Sequence, residues 1–298
     1  MIKPAALKTG DLAGIVSTAR KLNEAEISEG LSVLRSWGLE VILGDNIYSV
    51  NDQFAGTDEQ RISDLQKMLY DRSVKAIFCA RGGYGTIRVV DMLDFRTFNA
   101  EPKWICGFSD ITVLHAHLQQ QLSCQSLHMP MPLTFPMSTS AAIEKSKDVL
   151  FGKDLSYSLE HDNLNREGKA KGILVGGNLS VLYSLLGSNS FPNTDKRILF
   201  LEDLDEYLYH IDRMMMALKR AGVLKNIAGL MIGGMTDMND NENPFGKTAH
   251  EIVIEHTADL NIPIIANVPS GHIKNNMPLI MGAEVEMIVG NGSEINFS

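Results

Sequence analysis

Strand patterns alternate with helix patterns through the first 140 residues, and each strand pattern is a continuous apolar run. The runs are residues 12–17 (LAGIVS), 41–43, 74–80 (VKAIFCA) and 104–107 (WICG). Between them, residues 24–37 place Ile27, Leu31 and Leu34 at helical spacing and stop at Gly38. Residues 58–70 put Ile62, Leu65 and Leu69 on one stripe, and residues 111–121 continue as a helix after the fourth run. A strand that is apolar on both faces must be covered on both, so the pattern predicts a parallel sheet flanked by helices.

A break follows. Residues 129–140 (MPMPLTFPMSTS) hold three prolines in twelve positions, and residues 160–171 (EHDNLNREGKAK) are polar and poor in helix formers. One short amphipathic segment, residues 141–150, lies between them. The second half resumes with GILVGGN, then ILFLEDLDE, a helix over 211–221 ending at Gly222, and short apolar runs (GLMIGGM, PIIANVP, GAEVEMIVG) that read as strands. The expected division is an N-terminal domain over 1–135, a linker over 136–168 and a C-terminal domain over 169–298. A length of 298 residues suits two domains of ordinary size with full cores.

The charge balance excludes one class of partner. Lys plus Arg is 27 and Asp plus Glu is 36, so the net charge is 27 − 36 = −9. That acidic balance argues against nucleic-acid binding, which needs a basic stripe for phosphate contacts. Cys79, Cys106 and Cys124 cannot all pair, and Cys79 and Cys106 sit in apolar runs as buried small side chains. That usage suits a reducing compartment. With no signal-peptide pattern and no apolar run near the roughly 20 residues of a membrane span, the expected location is the cytoplasm.

Four segments carry chemistry. Arg81-Gly82-Gly83-Tyr84-Gly85 follows a buried strand and reads either as a tight turn or as a loop that lets backbone N–H groups reach an anion. It is neither a dinucleotide fingerprint nor a P-loop. Gly107-Phe108-Ser109-Asp110 joins a strand to a helix. It reads either as a helix N-cap or as a sharp turn that exposes a nucleophilic serine, although Ile111 stands where a nucleophile elbow has glycine. Glu202 opens the acidic run at the end of ILFL, and its neighbours suit a solvated loop beside a helix N-terminus. His272 lies in the Pro269-Ser270-Gly271-His272 loop after a strand, free to serve as a base. The other histidines form no metal pattern: His115 and His117 stand about 200° apart on their helix. No metal or cofactor is expected. Ser109, Glu202 and His272 occur in the chain order of the α/β-hydrolase triad, separated by gaps of 93 and 70 residues that only the fold can close.

The chain resembles the LD-carboxypeptidase family of serine peptidases, which includes murein tetrapeptide carboxypeptidases and microcin C self-immunity peptidases. The resemblance runs through ordered blocks: Leu7-Lys8-Thr9-Gly10-Asp11, Phe54-Ala55-Gly56-Thr57-Asp58-Glu59-Gln60-Arg61, Ala80-Arg81-Gly82-Gly83-Tyr84-Gly85 and Gly107-Phe108-Ser109-Asp110-Ile111-Thr112. Gly176-Gly177-Asn178-Leu179-Ser180, Leu201-Glu202-Asp203, Tyr209-His210-Ile211-Asp212-Arg213-Met214 and Gly271-His272 complete it.

The resemblance implies an α/β enzyme with a flavodoxin-like N-terminal domain carrying the nucleophile, matched by Ser109. A smaller C-terminal α/β domain would supply Glu202 and His272, with the site at the domain interface. It implies a cytoplasmic homodimer that acts on a murein peptide, releasing a C-terminal D-amino acid from an L-amino acid in peptidoglycan recycling. Backbone N–H groups of Asp110 and Gly83 would form the oxyanion hole. Arg81 and Gly82 are the substrate-binding candidates, Arg81 either gripping the terminal carboxylate or pairing with an acid. Two segments depart from the family: Val16-Ser17-Thr18 replaces a Pro-Ser pair, and His128-Met129-Pro130 replaces His-Gly-Pro. The alternatives are a microcin C-type immunity peptidase cleaving aminoacyl-nucleotide conjugates, a nucleotide-dependent α/β protein, and a non-catalytic two-lobed binding protein.

Overall fold

A computed structural model describes residues 1–298. The first sheet is built from β1 (Leu12–Val16), α1 (Glu24–Ser36), β2 (Glu40–Leu43), α2 (Asp58–Tyr70), β3 (Val74–Cys79), α3 (Arg96–Ala100), β4 (Trp104–Gly107), α4 (Thr112–Leu122) and β5 (Ser126–His128). These five strands are parallel in the spatial order β2-β1-β3-β4-β5, the flavodoxin-like winding the resemblance implies. Side chains set the helix starts. Asn23 with Glu26, and Thr57 with Gln60, form reciprocal capping boxes at α1 and α2. α1 ends where Gly38 takes φ +86°, a left-handed conformation that suits glycine.

The rest of the chain comprises α5 (Ser140–Leu150), β6 (Ser156–Glu160), β7 (Gly168–Asn178), α6 (Leu179–Ser184), β8 (Ile198–Leu204), α7 (Leu208–Arg220), β9 (Gly229–Thr236), α8 (Ala249–Glu255), β10 (Ile264–Ile265), β11 (Leu279–Met281), β12 (Glu284–Val289) and β13 (Gly292–Phe297). The second sheet has the order β10-β9-β8-β7-β12-β13-β6. Its first four strands are parallel and its last three form an antiparallel extension. β7 joins the halves: residues 168–173 pair with β12, and residues 174–178 pair with β8.

Two expectations change here. Residues 136–168 are not bare linker, since they hold α5 and β6, and β6 is the outer strand of the second sheet. Their polar look comes from strands that alternate exposed residues with buried or half-buried ones, as in β6 and the first half of β7. Residues 279–281 do not belong to the second sheet. β11 crosses back and pairs antiparallel with β5, with Leu279 opposite His128 and Met281 opposite Ser126.

That crossing shapes the core. One buried cluster runs without a break from α1 (Ile27, Leu31) through Leu127 and Leu279 to Phe200 and Met231 of the second sheet. Separate clusters lie under α2–α4 and under α6–α8. No helix is long and apolar enough to cross a membrane. Gly30 of α1 touches the segment after β5 so closely that a Cβ there would lie 2.1 Å from the Pro132 carbonyl oxygen. Helix propensity alone favours alanine over glycine. Here Gly30→Ala should instead destabilise by about 1–3 kcal/mol, read as a lower urea midpoint. An unchanged or higher midpoint would show that this contact yields.

Candidate active site

Ser109 stands at the end of β4 in a strained turn. Gly107 has φ +156°, and a Cβ there would lie 2.8 Å from Ile111 Cγ1, so glycine alone fits. Phe108 is extended, and Ser109 then takes φ +65° before a short 3₁₀ turn leads into α4. A left-handed non-glycine residue costs about 1–3 kcal/mol and is retained where the surroundings over-determine it. The N-cap reading fails: no side chain caps the turn or α4, and Ser109 Oγ hydrogen-bonds nothing in the chain. The half-buried serine faces a cavity of about 420 Å³.

The glycine-rich loop presses on that serine. A Cβ on Gly82 would lie 3.0 Å from Ser109 Cβ and 3.1 Å from its Oγ. Asp110 locks loop to turn, its Oδ2 accepting the Thr86 N–H at 2.9 Å. Buried Arg61 of α2 donates to the Thr18 carbonyl at 2.7 Å and the Gly85 carbonyl at 3.0 Å, tying the loops after β1 and β3 together. Arg81 Nη1 donates to the Lys21 carbonyl at 2.9 Å, while its Nε is buried without a partner. The Gly83 N–H, at φ +116°, donates to no acceptor in the chain.

Glu202 and His272 come from the second sheet. Glu202 is fully buried within β8, not in a loop after it. Its Oε2 accepts His272 Nδ1 at 2.6 Å and the His272 backbone N–H at 3.2 Å. Gly271, with φ +109°, permits this approach, since a Cβ there would lie 2.7 Å from Oε2. Burial alone would lower the His272 pKa, but the Glu202 charge and hydrogen bond outweigh it and the net shift is upward from 6.5. Burial alone would raise the Glu202 pKa, and the His272 partner reverses that to a net lowering. His272 packs against Phe108, ring centroids 4.8 Å apart, and lines the Ser109 cavity. The pair is formed, while Ser109 Oγ and the imidazole share the cavity without a hydrogen bond between them.

Several neighbours that the sequence placed in motif segments, without giving them a role, also build the site. Asp203 is buried and accepts from Asn178 Nδ2, Ser180 N and Leu204 N, each at 2.9 Å. Burial and then the Glu202 charge push its pKa up to about 7. Asn178 is held in turn by α4, its backbone N–H donating to Thr112 Oγ1 at 3.0 Å. His128 is buried between Phe108 and Phe200, its pKa lowered to about 3 mainly by burial. Asn178 lay within a motif block and His128 at a departure from one, but no periodicity marks either. His115 is a satisfied core residue, bonded to Ser126 Oγ at 2.7 Å and the Gly107 carbonyl at 2.9 Å. All three cysteines are free and buried.

Comparison with known proteins now bears on this geometry. Residues 13–129 match the LD-carboxypeptidase N-terminal domain, and residues 171–287 match the LD-carboxypeptidase C-terminal domain. The chain belongs to the LD-carboxypeptidase family of serine peptidases. It is 32% identical over 295 residues to a probable murein peptide carboxypeptidase of Bacillus subtilis, covering 96% of this chain and 91% of that one. It is 27% identical over 274 residues to a murein tetrapeptide carboxypeptidase of Pseudomonas aeruginosa, covering 88% of each. The fold is also that of the muramoyltetrapeptide carboxypeptidase from Oxalobacter formigenes, with a TM-score of 0.88 at 24% identity over 96% of this chain and 98% of that one. The microcin C7 self-immunity protein gives 0.89 at 19% identity over 99% and 98%.

The opposing causes at His272 make one test. In Glu202→Gln the burial contribution remains and the charge is gone, so the imidazole pKa should fall below its wild-type value. An NMR titration of the His272 ring reads this directly, and an unmoved pKa would separate the two residues electrostatically.

Proposed function

We propose that this LD-carboxypeptidase is a metal-independent serine carboxypeptidase that releases a C-terminal D-amino acid, D-Ala, from the L-residue before it in murein tetrapeptides. The role would be peptidoglycan recycling in the cytoplasm, with the enzyme acting as a homodimer. The observation that carries the chemistry is the 2.6 Å bond from buried Glu202 to His272, in a cavity shared with a strained and otherwise unbonded Ser109. The substrate class rests on the murein peptide carboxypeptidase at 32% identity.

In this reading Ser109 Oγ attacks the carbonyl carbon before the terminal residue while His272 Nε2 takes its proton. Glu202 holds Nδ1, fixes the tautomer and stabilises the imidazolium. The backbone N–H groups of Gly83 and Asp110 receive the oxyanion, which costs no reorganisation because the Thr86 and Arg61 bonds already hold both loops. The imidazolium protonates the leaving amine, D-Ala departs, and water activated by His272 releases the acyl group. Gly82 keeps the space beside the nucleophile open, since any side chain would press on Ser109.

Mass spectrometry of a murein tetrapeptide incubation should show released D-Ala. Release from an aminoacyl-nucleotide conjugate in preference to any muropeptide would move the chain to the immunity-peptidase reading. Ser109→Ala should lower kcat by several orders of magnitude with the fold intact. Retention of more than about a tenth of the wild-type rate would remove Ser109 from the role. Activity should rise with pH through a midpoint above 6.5, because only neutral imidazole accepts the serine proton and Glu202 favours the charged form. Treatment with EDTA or phenanthroline should leave the rate unchanged, and loss restored by zinc would overturn the mechanism.

A further inference from the structure

We propose that Arg20 is the side chain that binds the substrate's terminal carboxylate; this rests on the carboxypeptidase reading above. A flavodoxin-like sheet opens a crevice at the carboxyl ends of β1 and β3, where the winding reverses, and ligands bind there. Arg20 is on the loop after β1 and Gly82–Gly83 on the loop after β3, so both edges of that crevice are in hand. Contacts step from Arg20 to the nucleophile. A Cβ on Gly83 would lie 2.6 Å from Cγ and Cδ of Arg20, and one on Gly82 would lie 3.0 Å from Ser109 Cβ. The Arg20 stem therefore crosses the glycine turn that abuts Ser109, and only glycine at 83 leaves it room.

The guanidinium is unspent. Arg20 takes part in none of the chain's ion pairs, and it lines both the Ser109 cavity and an adjoining one of about 590 Å³. Its backbone is held in advance. Arg20 bridges Phe54, Ala55 N donates to the Ala19 carbonyl at 3.1 Å, and Lys21 N donates to the Gln53 carbonyl at 2.9 Å. Arg81, the earlier candidate, also lines the cavity but already spends part of its guanidinium on the fold. Its Nη1 holds the Lys21 carbonyl and its Nε is enclosed. Arg81 thus supports the segment that presents Arg20. The cavity is also lined by Asp205 and Glu206, acidic side chains that repel a carboxylate and favour the Arg20 side as its place. Carboxypeptidase chemistry requires one such group in every substrate, one residue from the scissile bond.

The ligand chemistry is a carboxylate, which a peptide can supply at its terminus or from an internal side chain. The test measures kcat and KM of wild type, Arg20→Ala and Arg20→Lys on three tetrapeptides. One is free at the D-Ala terminus, one is amidated there, and one keeps the free terminus with its internal carboxylates amidated. Arg20→Ala should lose roughly 10- to 100-fold in kcat/KM on both free-terminus peptides, the size of a lost charged hydrogen bond. The loss should fall mainly on KM, and the amidated terminus should lose far less. Arg20→Lys should recover part of the loss, keeping the charge without the fork. The amide rate reports that the variant is folded. An equal loss on acid and amide termini overturns the assignment, as does a loss that vanishes only when internal carboxylates are blocked. Wild type that releases no D-Ala overturns the functional reading and Arg20's role with it. An active wild type with an unaffected Arg20→Ala overturns Arg20 alone.

Discussion

Three backbone pairings between β11 and β5 hold this site together. The chain leaves the second sheet at β10, turns through residues 266–278, and returns to the edge of the first sheet as β11. His272 lies in that turn, between a strand of one sheet and a strand of the other. Its position relative to Ser109 is therefore set by both sheets. Two further contacts brace the crossing: Thr139 Oγ1 donates to Asn275 Oδ1 at 2.7 Å, and Asn178 N donates to Thr112 Oγ1 at 3.0 Å. The continuous core from α1 to Phe200 makes relative movement of the sheets costly, because sliding would open cavities in close-packed interior.

Within this frame the electrostatics are arranged by burial. Glu202 is out of water, so its attraction for a charged His272 is little screened and overcomes the cost that burial places on each charge. One carboxylate oxygen carries both His272 contacts, and Oε1 is buried without a partner, as are His128 Nε2 and Asn276 Nδ2 around the same turn. Asp203, one residue on, spends its oxygens on the β7–α6 turn. Two adjacent acids thus do different work because they meet different partners.

Much of the first sheet was legible because local rules and tertiary demand agree there. The helix expected over 58–70 is observed as Asp58–Tyr70, and the strand over 104–107 as Trp104–Gly107. The elements that escaped are short or amphipathic. β5 and β11 have three residues each, too few to show a period, and β6 alternates buried with exposed residues so that it reads as polar loop. Among candidate site residues, Ser109, Glu202 and His272 stood at strand ends or in strand-end loops and could be picked out individually. Nothing local distinguished an N-cap serine from a serine in a left-handed turn, Arg20 carried no pattern, and Asp203 and His128 stood in family motif segments that assigned them no role.

The amino-acid sequence by itself determined the α/β class, the helix-covered parallel character of the first sheet and the ordered motif blocks, while its flavodoxin-like winding came only as what the family resemblance implies. Those follow from side-chain periodicity, glycine placement and residue identity, which are properties of short windows. Only the tertiary structure decided that β11 belongs to the first sheet, that Glu202 lies inside β8, and that Arg81 faces the Lys21 carbonyl while Arg20 is left unpaired beside Ser109. The physical reason is separation. Residues 109, 202 and 272 meet across gaps of 93 and 70 positions, and the burial that sets their charges is created by neighbours no short window contains.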